Sequence, residues 1–394
     1  MAFDVPRLAD LDVENQRVLV RVDFNVPRAE DGTITDDTRI RAAVPTIQNL
    51  LERGARPVLL SHLGRPKGTV VEELRLDAVG VRLGELLETP VRKLDESVGD
   101  AVRAAIDSMG AGEVCLLENV RFHPGETKGD PELAAAFAAL GDRFVNDAFG
   151  ACHRAHASVA GVARLLPAAA GFLLEKELDA FGRVLTDPDR PLVAILGGAK
   201  ISDKLPVIAN LVERCDAILI GGGMAYTLLA ARGEPTGTSL LQADQVEAVR
   251  ANLERAKETG CRILVPTDHV VADSFAADAK TQVVEVIPDG WMGLDIGPET
   301  RKTYAAEIAA ARTVVWNGPM GVFEWEAFQA GTEEVGRAVE ASPAYTVVGG
   351  GDSVAAVSLF DLADGMDHIS TGGGASLELL EGKDLPGIEA LGSR

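Results

Sequence analysis

The sequence lacks the short motifs of several common enzyme classes. Its 394 residues contain no GxxxxGK[ST] loop, no GxGxxG fingerprint and no GxSxG elbow. A P-loop design is therefore excluded, and a dinucleotide-binding oxidoreductase is disfavoured. The four cysteines (Cys115, Cys152, Cys215 and Cys261) form no CxxC pair. They predict reduced, mostly buried thiols in a cytoplasmic protein rather than a disulfide framework.

Positive charge and long apolar runs are also scarce. There are 38 Lys and Arg residues against 60 Asp and Glu, for a net charge of −22. Duplex nucleic acid requires a broad basic surface, whereas a small phosphorylated ligand requires only a few well-placed cations. The longest apolar stretch, residues 159–174, is short and contains Arg164 and Pro167. We therefore expect no membrane span and no nucleic-acid partner.

Short apolar, β-branched runs recur along the chain, each followed by a loop and a helical segment. Ten runs are predicted to be strands: residues 17–22, 57–61, 114–118, 143–147, 192–196, 217–220, 262–266, 313–316, 345–348 and 368–370. Because they are apolar throughout, we expect strands buried on both faces of parallel sheets. Alternation with helices indicates an α/β fold. The strand count alone is also compatible with a single barrel carrying extra strands.

The middle of the chain favours two sheets over one barrel. A helix over residues 172–185 would carry five apolar side chains on one face: Phe172, Leu174, Leu178, Phe181 and Leu185. The polar stretch that follows, residues 186–191, contains two prolines and is typical of an exposed linker. A barrel needs no such break. The sequence therefore predicts two Rossmann-like domains, each a parallel β-sheet flanked by helices, joined by a hinge helix.

The loops after the strands, where ligands bind in open parallel sheets, differ between the two halves. Those of the first half offer forked hydrogen-bond donors and imidazoles, which suit a small, multiply anionic molecule. They are residues 23–25, 61–65, 119–121 and 153–156. Those of the second half are rich in glycine, which lets backbone amides approach a polyphosphate. They are residues 197–200, 221–223, 318–321, 349–352 and 372–374.

Taken singly, these features have plainer interpretations. A glycine triplet is usually a tight turn, and only the recurrence of triplets after strands indicates phosphate binding. Arg39 follows Asp36 and Asp37, so a simple surface ion pair is compatible with the sequence. His62 alone is compatible with a hydrogen-bonded structural histidine. Glu324 is compatible with an ordinary surface acid.

Two features bear on metal binding. Residues 152–156, Cys-His-Arg-Ala-His, contain metal-binding side chains, but no matching pair elsewhere completes a zinc site. An anion site fits this motif better, because an arginine lies between the histidines. Asp352 follows three glycines and suits Mg²⁺ that is bound together with phosphates, since such Mg²⁺ takes one or two carboxylates.

Together the motifs resemble the phosphoglycerate kinase family, in the family's order and from about residue 5 to about residue 391. The matching segments are VRVDFNVP (20–27), SHLGRP (61–66), ENVRF (118–122), HRAH (153–156), LGGAK (196–200) with Lys204, IGGGM (220–224), WNGP (316–319), VFEW (322–325), GGGD (349–352), STGGGASLE (370–378) and LPG (385–387). Departures are Ala151 and Cys152, where the family often has a hydroxyl residue and alanine, and Ser353, where threonine is common. Whether Cys152 makes the acid site sensitive to thiol reagents is left open by the sequence.

The resemblance implies one domain for each substrate. It implies a 3-phosphoglycerate-binding domain over residues 1–171, a hinge helix and linker over 172–190, a nucleotide-binding domain over 191–381, and a C-terminal arm, 382–394, that returns to the first domain. The residues implied to bind 3-phosphoglycerate are Asp23, Asn25, Arg39, His62, Arg65, Arg121 and Arg154. Those implied to bind the nucleotide are Gly198, Ala199, Lys204, Gly222, Gly223, Gly293, Leu294, Asn317, Pro319, Glu324, Gly350, Gly351, Asp352 and Ser353.

The resemblance also implies a reaction, the reversible transfer of a phosphoryl group between ATP and the carboxylate of 3-phosphoglycerate. Lys204 is implied to meet the nucleotide phosphates, Glu324 the ribose and Asp352 the Mg²⁺. A carboxylate with a pKa of about 4 is already ionised, so no general base is required. The candidates for stabilising the transferring group are Arg39, Lys200, Gly373 and Gly374. We expect a cytoplasmic monomer whose domains close around both substrates.

Two other functions remain open at this stage. An NAD-dependent dehydrogenase with an atypical fingerprint would need an acidic residue about 20 residues after its first glycine turn. A non-catalytic, two-lobed anion-binding protein would not need Lys200, Lys204 and Asp352 together. ATP-dependent turnover distinguishes the kinase from both.

Overall fold

The structure is a computed structural model, and it describes residues 3–392. The predicted segments 1–171 and 382–394 include residues 1, 2, 393 and 394, which lie outside the described residues. The described chain forms two compact units. Residues 3–179 with 384–392 make the first unit, and Ala180–Lys383 makes the second. No helix within residues 3–392 is long and apolar enough to cross a membrane.

The first unit is built on a six-stranded parallel sheet in the order β3-β4-β2-β1-β5-β6. The strands are β1 (Arg17–Val22), β2 (Arg56–Leu60), β3 (Val91–Lys93), β4 (Val114–Leu116), β5 (Arg143–Asp147) and β6 (Ala168–Ala170). The helices are α1 (Thr38–Glu52), α2 (Asp77–Leu87), α3 (Asp100–Asp107), α4 (Pro131–Ala138), the beginning of α5 (Phe172–Leu185) and α13 (Pro386–Glu389). Val20, Ile40, Leu59 and Leu83 belong to one buried core that joins the sheet to α1 and α2.

The second unit contains another six-stranded parallel sheet, in the order β15-β14-β13-β7-β8-β9, and a small antiparallel sheet, β11-β10-β12. The strands are β7 (Leu192–Leu196), β8 (Ala217–Ile220), β9 (Arg262–Leu264), β10 (His269–Ala272), β11 (Thr281–Val284), β12 (Met292–Ile296), β13 (Thr313–Asn317), β14 (Tyr345–Val348) and β15 (His368–Ile369). The helices are α6 (Leu205–Leu211), α7 (Ala225–Ala231), α8 (Val246–Thr259), α9 (Pro298–Ala310), α10 (Ala330–Glu340), α11 (Gly351–Leu359) and α12 (Gly374–Leu380). Trp316 is fully buried in its core.

Helix α5 has the predicted bounds, and the two compact units divide within it, between Asp179 and Ala180. The Asp147 carboxylate caps its beginning, since Oδ1 accepts hydrogen bonds from the backbone of Leu173 at 2.9 Å and Leu174 at 3.3 Å. A negative charge here also interacts favourably with the helix dipole. Burial raises the pKa of Asp147 to about 7.

The predicted α/β architecture with two parallel sheets is confirmed, and the single barrel does not form. All ten predicted strands are present, but the number ten is wrong, because the described chain has fifteen strands. The missed strands are β3, β6, β10, β11 and β12. β3 and β6 have three residues each, and β11 is mostly exposed, so they lack the continuous apolar run that marks a buried parallel strand.

Candidate active site

The predicted acid-binding residues follow β1, β2, β4 and β5, which are neighbours in the first sheet. Parallel strands bring their carboxyl ends to one edge, so the four loops converge there. We name the resulting set the arginine cluster, and it comprises Asp23, Asn25, Arg39, His62, Arg65, Arg121 and Arg154. Arg39 joins it from the first turn of α1.

Arg39 pairs with Asp23 rather than with the two acids that precede it. Its Nη1 lies 2.6 Å from Asp23 Oδ2. Asp36 Oδ1 instead accepts a hydrogen bond from the backbone of Thr38, and Asp37 pairs with Arg41 and Arg82. Burial opposes the ionisation of Asp23, but the charges of nearby groups outweigh it and hold the pKa of Asp23 below its usual value. The Arg39 side chain stays 36% exposed, so it can still meet a ligand.

His62 is almost buried, and its Nδ1 lies 3.1 Å from Nη2 of Arg21 and 3.8 Å from Oδ1 of Asp23. Burial lowers the pKa of His62 to about 3. The positive charges of Arg21, Arg121 and Arg39 also lower this pKa, whereas the negative charge of Asp23 raises it. His62 is therefore neutral near neutral pH.

The low pKa of His62 predicts a measurable effect on stability. On unfolding, the imidazole returns to a pKa of about 6.5, so between that pH and about 3 the unfolded chain binds the extra proton. The stability that the native state gains by keeping His62 neutral is therefore fully present above about pH 6.5 and is lost as the pH falls. His62→Gln should remove about 2 kcal/mol of the decrease in unfolding free energy between about pH 7 and about pH 5. Urea unfolding at both pH values measures this, and identical pH dependence in both proteins would contradict it.

The remaining members of the arginine cluster differ in how tightly the protein holds them. Asn25 Oδ1 accepts a hydrogen bond from the backbone of Gly64 at 2.8 Å, and Arg121 Nη1 donates to the carbonyl of the same glycine at 2.8 Å. Arg65 and Arg154 are exposed, and their side chains form no hydrogen bond or ion pair with any residue in 3–392. Their guanidinium donors are available for an anion.

The structure adds three residues that the sequence did not single out. Arg21, Glu126 and Ser158 are completely buried behind the cluster. Arg21 Nε donates to Ser158 Oγ at 2.9 Å, and Ser158 Oγ donates to Glu126 Oε1 at 2.6 Å. Only Arg21 carries a signal in the sequence, because it is a charged residue inside the apolar run of β1.

Cys152, one of the two departures next to the histidine motif, is enclosed by the protein. Its thiol is buried, lies 3.5 Å from the carbonyl of Ala148 and accepts a long contact from Asn146 Nδ2 at 3.4 Å. The backbone of Gly387 in α13 donates to the Cys152 carbonyl at 2.9 Å. Burial raises the pKa of the Cys152 thiol to about 12. A buried, protonated thiol is a poor nucleophile, which argues against thiol sensitivity.

The motif at residues 152–156 is predicted to hold no zinc. No three His, Cys, Asp or Glu side chains within residues 3–392 lie close enough together to hold a metal ion. Purified protein should lack stoichiometric zinc by elemental analysis, and a strong zinc chelator should leave its circular dichroism unchanged. One tightly bound zinc per chain, with unfolding on chelation, would contradict this prediction.

In the second unit, the loops after β7 and β13 meet backbone to backbone where the strand order reverses. A side chain at Gly197 would collide with the carbonyl of Pro319, and one at Gly318 would collide with Gly197. Gly318 also has a φ of 111°, which favours glycine. Glycine is thus required here for contact between the loops, and the place where the strand order reverses is where open parallel sheets bind ligands.

Two cavities that share Gly198, Ala199 and Asp352 lie along this edge. The first, of about 510 Å³, we call the glycine cavity. Its lining includes the predicted residues Gly198, Ala199, Lys200, Lys204, Asn317, Gly350, Gly351, Asp352, Ser353, Gly373 and Gly374. Lys204 Nζ donates a hydrogen bond to Asn317 Oδ1. Burial lowers the pKa of Lys204, and the negative charge of Asp352, which raises it, does not fully offset this effect.

The second cavity, of about 540 Å³, we call the apolar cavity. Its lining includes the predicted residues Gly198, Ala199, Gly222, Gly223, Gly293, Leu294, Pro319, Glu324 and Asp352. Sequence analysis missed several apolar members, among them Leu240, Met292 and Phe275. Phe275 is 65% exposed and lies against Trp325, with ring centroids 4.7 Å apart. Every predicted nucleotide-binding residue therefore lines one of the two cavities.

A third cavity, of about 950 Å³, lies beside the edge strand β9 and contains none of the predicted residues. It is the largest of the three described here. Its arginines are already engaged, since Arg262 pairs with Glu307 and Arg250 with Glu247. Size alone therefore does not identify the functional site.

Known proteins match the chain over nearly its whole length. A model of the phosphoglycerate kinase family matches residues 8–383. A curated phosphoglycerate kinase from Moorella thermoacetica is 60% identical over 386 residues, which cover 98% of each chain. The structure of phosphoglycerate kinase from Coxiella burnetii is similar with a TM-score of 0.92, 42% identity and 99% coverage of each chain. That of the enzyme from Pyrococcus horikoshii OT3 has a TM-score of 0.83, 35% identity and 98% coverage of each chain. The chain therefore belongs to the phosphoglycerate kinase family of phosphotransferases, glycolytic enzymes whose phosphoryl acceptor is a carboxyl group.

Proposed function

We propose that this enzyme transfers a phosphoryl group reversibly between MgATP and the carboxylate of 3-phosphoglycerate, giving 1,3-bisphosphoglycerate and ADP. Two separate sites of different chemical character, one rich in arginine and the other rich in glycine and apolar groups, support this proposal. The arginine cluster occupies the carboxyl edge of one sheet, and the glycine and apolar cavities occupy that of the other. One site suits a small polyanion and the other a nucleotide.

The arginine cluster is the proposed site for 3-phosphoglycerate. Arg65 and Arg154 are exposed and supply charge to the substrate phosphate, together with Arg121. Asp23 and Asn25 are acceptors suited to the substrate hydroxyl. Because Asn25 is fixed by the backbone of Gly64, its orientation is set before the ligand arrives.

The two cavities are the proposed site for the nucleotide. The apolar cavity suits the base, and Glu324 at its lining suits the ribose hydroxyls. The glycine cavity suits the phosphates, since the amides near Gly350 and Gly373 and the ammonium of Lys204 all line it. Asp352 lines both cavities, between the base and the phosphate ends.

Asp352 is the proposed protein ligand of Mg²⁺. Its carboxylate is exposed to the glycine cavity, and a single carboxylate fits a metal that takes its other ligands from phosphates and water. When bound, Mg²⁺ neutralises charge on the nucleotide phosphates. The Ser353 hydroxyl accepts a hydrogen bond from the backbone of Gly318 at 2.6 Å, which holds the loop that carries Asp352.

The proposed chemistry is positioning and charge neutralisation. The acceptor carboxylate is ionised at neutral pH, so the protein need not remove a proton. Arg39 and Lys200, with the backbone amides of Gly373 and Gly374, are the proposed donors to the oxygens of the transferring group. His62 is neutral and therefore contributes a hydrogen bond rather than a charge.

Domain closure is a further part of the proposal, with the hinge at the ends of α5 and in the linker of residues 186–191. Neither substrate alone contacts both sites, so neither has much differential affinity for a closed state. Small-angle scattering should show a clear fall in the radius of gyration only with both substrates bound. An equal fall with nucleotide alone, or none with both, would contradict closure while leaving the kinase assignment intact.

A coupled assay tests the proposed reaction. The enzyme with 3-phosphoglycerate, ATP and Mg²⁺ should form ADP and an acyl phosphate that a dehydrogenase consumes with NADH. Omission of any one component should abolish the signal. Turnover of NAD without ATP would instead support an oxidoreductase.

We further propose that the enzyme is a monomer and that it lies in the cytoplasm. The cytoplasmic location is supported by four buried thiols that form no disulfide.

A further inference from the structure

A continuous line of buried polar groups lies behind the arginine cluster. It begins at Glu126, whose two oxygens accept hydrogen bonds from one residue. The backbone amide of Ser158 donates to Oε2 at 2.9 Å, and its hydroxyl donates to Oε1 at 2.6 Å. Because a hydroxyl has one proton, that of Ser158 is committed to Glu126. Ser158 lies in a π-helical turn, residues 157–161, a rare form that is frequent at functional sites.

The line continues from Ser158 to Arg21. With its proton given to Glu126, the Ser158 oxygen accepts a hydrogen bond from Arg21 Nε at 2.9 Å. Arg21 also donates to the carbonyl of Val22 through Nη1. Its guanidinium is fully buried and forms no direct ion pair among residues 3–392, so the charges of Glu126 and Asp23 balance it at longer range. These contacts fix the orientation of Nη2.

The line ends at His62, whose Nδ1 lies 3.1 Å from Arg21 Nη2. A guanidinium can only donate, so Nδ1 must accept and cannot carry a proton. A neutral imidazole has one proton, which must then lie on Nε2. No residue within 3–392 forms a hydrogen bond with Nε2. That N–H is therefore available to a ligand.

We propose that Glu126 and Ser158 are positioning residues that act through Arg21 to hold His62 neutral, with its proton on Nε2, as a hydrogen-bond donor to the bound acid. The identity of that acid rests on the proposed function. The tautomer itself is a property of the free chain. The ionisable groups that face His62 are Asp23, which favours its protonation, and Arg21, Arg39 and Arg121, which oppose it.

Nitrogen-15 NMR of the full chain, labelled at its six histidines and free of ligand, tests the tautomer directly. His62→Gln identifies the His62 signals by their loss. In the unsubstituted protein at neutral pH, Nδ1 should resonate as an unprotonated nitrogen and Nε2 as a protonated one. A His62 with its proton on Nδ1, or with both nitrogens protonated, would overturn the proposal. This result does not depend on the substrate and so is distinguishable from a failure of the proposed function.

Ser158→Ala tests the remote positioning. Removing the hydroxyl frees Arg21, so the His62 signals should move toward the average of two tautomers. Ser158→Thr keeps the hydroxyl and should leave the His62 signals as they are in the unsubstituted protein. Ser97→Ala is the matched control, because the Ser97 hydroxyl lies 2.7 Å from Nε2 of a different histidine, His123. It should change only the His123 signals. Unchanged His62 signals in a folded Ser158→Ala protein would overturn the roles of Ser158 and Glu126.

The kinetic consequence follows from the lost hydrogen bond to the acid. Ser158→Ala should raise the KM for 3-phosphoglycerate about tenfold with little change in the KM for ATP. A purely structural defect would lower kcat or stability without this selectivity, and that outcome would count against the proposal.

Discussion

Replacing Arg39 with alanine should lower kcat about 10²–10³-fold while changing either KM far less. Arg39 is partly exposed at the start of α1 and is anchored by Asp23 at 2.6 Å, so its remaining donors are directed without further loss of side-chain freedom. An interaction made mainly with the transferring group acts on the transition state. Steady-state kinetics with both substrates varied measures the effect.

Arg41→Ala is the matched control for this substitution. Arg41 lies two residues further along α1, is more exposed and pairs with Asp37 instead of Asp23. Its loss should change kcat less than about twofold, as expected for an exposed ion pair. If Arg39→Ala raised only the KM for 3-phosphoglycerate and left kcat unchanged, Arg39 would be a binding residue and not a catalytic one.

Arg65→Ala and Lys204→Ala should have reciprocal effects on binding. Arg65 is exposed in the arginine cluster of the first unit, and Lys204 lines the glycine cavity of the second. Loss of a hydrogen bond from a charged group should weaken the affected ligand about 10- to 100-fold. Calorimetry should therefore show weaker 3-phosphoglycerate binding in Arg65→Ala and weaker ADP binding in Lys204→Ala.

Controls for this pair come from cations away from both sites. Arg56 begins β2, at the end of the strand opposite to the loop that carries Arg65, and it donates to the carbonyl of Asn15. Lys257 is an exposed lysine on α8 that pairs with Glu254. Neither Arg56→Ala nor Lys257→Ala should change either affinity. Equal loss of both ligands in Arg65→Ala and in Lys204→Ala would refute the division of substrates between the units.

The sequence predicted the parts of the fold that depend on continuous burial. Strands such as β7 and β8 are apolar throughout because helices cover both faces of a parallel sheet. The sheet of β10, β11 and β12 was missed because an antiparallel strand with an exposed face needs no continuous apolar run. In β11 the first three residues are exposed.

The candidate site was predictable where chemistry lies within one loop. Glycine triplets and arginines that directly follow strands mark the arginine cluster and the two cavities. Contacts between distant segments were not predictable in this way. Ser158 and Arg21 are 137 positions apart, and Arg39 and Asp23 meet although two nearer acids precede Arg39. Burial, which lowers the pKa of His62, is likewise a property of the assembled fold.

The arginine cluster and the glycine and apolar cavities are proposed to be separate sites for two different substrates. Isothermal titration of 3-phosphoglycerate into the unsubstituted enzyme, first alone and then after saturation with MgADP, distinguishes two sites from one. One 3-phosphoglycerate should bind per chain in both titrations, because the two ligands are expected to occupy different loops on different sheets. Competition, with MgADP preventing 3-phosphoglycerate from binding, would place both ligands in one site and refute the two-site proposal.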